Sequence, residues 1–154
     1  MSTVTADQVA RFFVKTANES GDVITNLELQ KLVYYAQAWH LALYERPLFD
    51  DAIEAWVHGP VVRSLYSKYK GFGAGPIVKQ VHSLSIPSRV ERHLQDVLLA
   101  YGHLSAFQLE HLTHSEQPWR SARGDLPPDV NANHVISRKD MTEYFKHKLN
   151  GKKA

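Results

Sequence analysis

The chain has 154 residues, the length of one domain or of one domain with an appendage. Apolar residues make up 44% and charged residues 22%, a globular balance that excludes wholesale disorder and fibrous repeats. There is no cysteine, which removes disulfides, thiolate nucleophiles, zinc fingers and iron–sulfur clusters together; 18 basic against 16 acidic residues leave +2, too little to compel nucleic-acid binding.

The start, Met1 to Asp7, is short and polar and shows no export signal. The longest uncharged apolar stretch, Leu32 to Tyr44, is shorter than the roughly 20 residues a membrane span requires, so a soluble, cytoplasmic protein is expected. A first helix is predicted over 6–18, with Val9, Phe12, Phe13 and Ala17 at helical spacing and Ser20-Gly21-Asp22 closing it. Thr25 and Glu28 have the spacing of a capping box and open a second helix running to Tyr44. That segment is apolar on nearly every face, the pattern of a helix surrounded by others.

Pro47-Leu48-Phe49 and Ile53 to Val57 read as one or two short strands. Gly59-Pro60 should turn the chain into a third helix over 60–70, because proline presets φ for a first helical position. Gly71 to Pro76 is a glycine-rich breaker, and 77–86 could pair as a third strand. Helices follow over 88–101 and from Ser105, whose spacing to Gln108 repeats the capping box, to about His114. Pro118-Trp119 begins a short helical turn, 124–133 is loop, and Ser137 caps a last helix to about Leu149. The predicted fold is mainly α (α+β): a single compact helical domain with a small β element between the second and third helices.

Nine histidines are the one compositional oddity. His111, His114 and Glu116 lie near one another on a helix, as zinc or iron ligands do, but nothing local completes the set. His114-x-Glu116 also has the deaminase spacing, and that site needs cysteines this chain lacks. A capping or core-edge histidine bonded to backbone is the better reading. The Gly71-x-Gly73-x-Gly75 run follows a helix and precedes proline, the wrong context for a phosphate loop. Tyr34, Tyr35, Trp39, Trp56 and Trp119 could stack bases, but at helical spacing they read as core. Residues 137–154 carry a net +4, leaving −2 on the rest; the simplest account is a solvated basic helix. A helix-turn-helix could be drawn over Val90–His114, yet its second helix bears no Arg or Lys. No catalytic residues, cofactor or metal follow from the residues, and enzyme chemistry is unsupported.

Two blocks carry a resemblance. The first is Thr25-Asn26-Leu27-Glu28-Leu29-Gln30-Lys31-Leu32-Val33-Tyr34-Tyr35-Ala36-Gln37-Ala38-Trp39-His40, running on to Pro47-Leu48-Phe49 and Glu54-Ala55-Trp56-Val57-His58-Gly59-Pro60-Val61. The second is Leu112-Thr113-His114-Ser115-Glu116-Gln117-Pro118-Trp119. Together they resemble the Panacea domain of bacterial and phage-associated antitoxins, the SocA type in particular. The resemblance places a Panacea-like domain over 1–124, with 125–154 a loop and basic C-terminal helix packed on or appended to it. It implies an antitoxin that neutralises a protein toxin by direct binding. In the SocA type it also implies a proteolytic adaptor that presents the toxin, an inhibitor of the replication sliding clamp, to the ClpXP protease. Gln30, Lys31, His40, His58, Gly59, Pro60, Thr113, His114, Glu116, Pro118 and Trp119 match the family motifs. For partner contacts the sequence offers Arg63, Tyr66, Lys70 and Phe72, around the glycine loop. The alternative is a DNA-binding prophage regulator using the Val90–His114 segment and the basic tail.

Overall fold

A computed structural model describes residues 3–81 and 84–151. Among the described residues the order is α1 (Ala6–Ser20), α2 (Asn26–Tyr44), β1 (Glu54–Trp56), β2 (Gly59–Val61), α3 (Arg63–Tyr69) and a 3-10 turn (Lys70–Phe72). Then come α4 (Ser88–Tyr101), α5 (Ala106–His114), α6 (Gln117–Arg123) and α7 (Arg138–Gly151). The fold is mainly α, with its small β element between α2 and α3, in agreement with the sequence pattern.

The capping boxes at Thr25 and Ser105 both form, each hydroxyl accepting from the backbone N–H three residues on while that residue's side chain accepts the cap N–H. Gly21 ends α1 in the left-handed region at φ 76°. α2 is the axis of the molecule: α1, α3, α4, α5, α7 and β2 all touch it, α7 most extensively. This explains why α2 has no polar stripe, since Leu29, Val33, Tyr34, Tyr35 and Ala36 are all fully buried.

Three local expectations are corrected. Pro47-Leu48-Phe49 is not a strand. A side chain takes the role of a partner strand there, Gln37 accepting from the Leu48 N–H at 2.7 Å and donating to the Phe49 carbonyl at 2.8 Å. Pro60 does not open a helix; it lies in β2 opposite Ala55, antiparallel to β1, and α3 begins only at Arg63. A proline is tolerated there because no ladder bond needs its missing N–H. The expected strand over 77–86 reduces, within the described residues, to a bridge between Thr25 and Pro76 and one bond from the Ile77 N–H to the Ile24 carbonyl. Residues 82 and 83 lie outside the described residues.

The loop after α6 returns to the hairpin: the Ala55 N–H donates to the His134 carbonyl at 2.8 Å and the Ile136 N–H to the Ile53 carbonyl at 2.7 Å. Ser137 caps α7 through the Asp140 N–H. α7 is not a solvated helix, because Met141 and Phe145 are buried and Phe145 meets Tyr34, Tyr35 and Trp39 edge-on. Its outer face carries Lys139, which pairs with Glu143, and Lys146, which pairs with Glu45. Lys152 and Lys153 lie outside the described residues.

Candidate functional site

The motif residues converge on the junction between α2, the β1–β2 hairpin and the α5–α6 corner. Gln30 is buried; its amide donates to Asn26 and its carbonyl accepts the Val62 N–H at 3.0 Å. The next residue, Lys31, is fully buried and donates to the Pro60 carbonyl at 3.2 Å. Burial pushes its ammonium down to about 7, with the Glu110 carboxylate pulling the other way. Gly59 lies against the lysine stem at φ 112°; a Cβ there would fall 2.5 Å from Lys31 Cε and 3.0 Å from Thr113 Oγ1. Thr113 is itself buried and donates to the Glu110 carbonyl. At the hairpin turn His58 is exposed, its Nδ1 3.0 Å from the Glu110 carboxylate.

The second block fixes the far side of the hairpin. Trp119 donates from its indole to the Trp56 carbonyl at 2.8 Å, and His114 stacks on Trp119 at 3.9 Å. Burial lowers the His114 pKa, with the Glu110 carboxylate and the adjacent Val57 backbone opposing it. Pro118 sits in the first turn of α6, where its missing N–H costs nothing. Arg123, its guanidinium 4.8 Å over the Trp119 ring, donates to the carbonyls of Ala55, Pro127 and Val130. Glu116 is 1% exposed and accepts from the Tyr35 hydroxyl at 2.9 Å. Burial pushes its carboxyl up to about 7, against the opposing effects of that bond and of Lys148 at 3.9 Å. From sequence, His114 reads as a capping or core-edge histidine bonded to backbone. His114 is placed at the core edge by its stacking on Trp119, and Glu116 reaches Tyr35 on α2.

His40 is apart from this junction. Its Nδ1 donates to the Arg46 carbonyl at 2.8 Å, leaving Nε2 to accept from Arg89 at 3.2 Å, and burial holds its pKa down to about 4. It is a neutral brace at the end of α2. Among the described residues no three His, Asp or Glu side chains are grouped to hold a metal ion, and no helix is long and apolar enough to cross a membrane.

Beside the motif junction opens a cleft of about 890 Å³, bounded by the start of α2, the hairpin, α3 with its 3-10 turn, the start of α5 and the loop at 131–133. Leu27, Trp56, Val57, Val61, Tyr66, Ala74 and Ala106 give it an apolar lining, with Asn131 and Asn133 at one side and Lys70 and His58 as its basic groups. Of the four partner contacts expected from sequence, Tyr66 and Lys70 line the cleft. Arg63 lies outside it, its guanidinium 5.6 Å above the Trp56 ring and paired with Glu54. Phe72 packs against the core instead. Sequence reasoning assigned Trp56 to the core and left 131–133 as a plain loop; Trp56 is only half-buried and faces this cleft. The proximity of 131–133 to Trp56 had no local signal, because the Ala55–His134 pairing creates it.

The family model described as "Antitoxin SocA-like, Panacea domain" matches residues 29–120. The chain is 33% identical over 129 residues to "Antitoxin SocA" of Caulobacter vibrioides, covering 75% of this chain and 69% of that protein. No solved structure gives a significant match. The matched span begins on α2 and ends on α6, so it contains the whole junction built by Gln30, Lys31, Gly59, Thr113, Glu116 and Trp119; on this evidence the chain belongs to the SocA-like Panacea-domain antitoxin family.

Proposed function

We propose that this protein is an antitoxin that neutralises a protein toxin by binding it, without catalysing a reaction. The observation that carries this reading is the 33% identity to a protein named as an antitoxin, across most of both chains. The internal use of the motif residues supports it. Gln30, Lys31, Thr113, Glu116 and Trp119 are all buried and engaged with the scaffold, so these matching positions serve its shape and not a chemical reaction. The test is co-expression with the product of the neighbouring gene. Rescue of growth and a complex that survives purification are expected; a neighbour that is harmless and does not co-purify refutes the reading.

The resemblance also supports an adaptor role, in which the bound toxin is handed to ClpXP. Under that role the toxin's half-life shortens when antitoxin and protease are both present and returns to its basal value when either is removed. A toxin equally stable in all three conditions leaves simple masking as the mechanism.

A further inference from the structure

We infer that the toxin docks in the cleft beside the hairpin, through a segment that places an apolar side chain next to a carboxylate. This inference rests on the antitoxin reading above and gives it a location.

The apolar part of the cleft is set before any partner arrives. The Trp56 indole donates to Glu54 at 2.8 Å, the Arg63 guanidinium covers its ring, and Tyr66 lies against it at 4.9 Å. Half-buried aromatic side chains held in this way lose little rotamer freedom on binding and are the residue types that dominate interface energetics.

The charge of the cleft selects among occupants. None of the residues lining it is acidic. His58 already faces Glu110, whereas Lys70 is exposed and has no ion-pair partner among the described residues. A carboxylate is therefore the complementary group, and a symmetric second copy is disfavoured because it would bring Lys70 towards Lys70. An added β-strand is disfavoured as well: at the hairpin's inner edge the Pro60 carbonyl is taken by Lys31 and the Val62 N–H by Gln30. The occupant must bind through side chains.

The experiment measures binding of the purified neighbouring-gene product to the full-length protein by calorimetry. The variants are Lys70→Glu, Ala74→Trp and, as a control, Leu99→Glu; all three positions are exposed, and circular dichroism checks their folding. Lys70→Glu and Ala74→Trp should each weaken binding by roughly tenfold or more, the first by reversing the charge and the second by filling the cleft. Leu99→Glu should bind as wild type. Raising salt should weaken the wild type more than Lys70→Glu. Unchanged affinity in both folded cleft variants overturns the docking site while leaving the antitoxin reading intact. No binding by the wild type removes the antitoxin reading and the docking site with it. Sedimentation that shows wild-type dimers, lost in Ala74→Trp, assigns the cleft to a second copy and overturns the proposal.

Discussion

At Gly59 two constraints coincide, a backbone at φ 112° and a lysine stem where a side chain would begin. Gly59→Val should therefore destabilise the fold by about 2–4 kcal/mol, read as a lowered midpoint in denaturant unfolding. Two buried titratable groups, Lys31 beside that turn and Glu116 against Tyr35, act with opposite sign. Glu116 titrates near 7 in the folded chain against 4.5 when free, so between those values the folded state holds a proton the unfolded state has lost, and stability falls as pH rises. Lys31 titrates near 7 against 10.5; there the unfolded state holds the extra proton, and stability rises from pH 7 upward. His40, His93 and His114, all lowered by burial, add their own rise with pH below 6.5, so the informative quantity is the difference between wild type and variant. Relative to Glu116→Gln, the wild type should lose a few kcal/mol between pH 4.5 and 7. Relative to Lys31→Met, it should gain between pH 7 and 10. Parallel stability curves for wild type and variant would show that folding leaves that group's pKa unshifted.

The elements that were legible in the sequence are those with local causes. The boxes at Thr25–Glu28 and Ser105–Gln108 announce α2 and α5, and Thr25→Ala should cost about 1 kcal/mol of stability in thermal unfolding. The missed elements have distant causes. Nothing near Pro47-Leu48-Phe49 reveals that Gln37 will occupy both of its backbone groups, and nothing near Pro60 shows that Ala55 will lie opposite it. α7 is the clearest case, since its charge suggests a solvated helix while Phe145 fills a space walled by α2 tyrosines. Phe145 is fully buried, and Phe145→Ala should destabilise by about 3–5 kcal/mol, measured by equilibrium unfolding.

For the molecule as a whole, the sequence motifs locate the scaffold better than the contact surface. Most residues that match the family motifs, His40 apart, lie where α2 meets the hairpin and the α5–α6 corner, whereas the cleft depends on how far-separated loops are brought together. Trp56 shows the difference: its indole and carbonyl are fixed by Glu54 and Trp119, yet its ring is left facing the opening. The placement of α7 over α2 has a further consequence during synthesis. Translation runs from the N-terminus at roughly 5–20 residues per second, so the interval between the emergence of Tyr35 and of Phe145 is on the order of ten seconds. Throughout that interval the nascent chain displays the α2 tyrosines without their final cover. The packing of α2 is thus completed only after nearly the whole chain has been made, because Phe145 is among the last core residues to emerge.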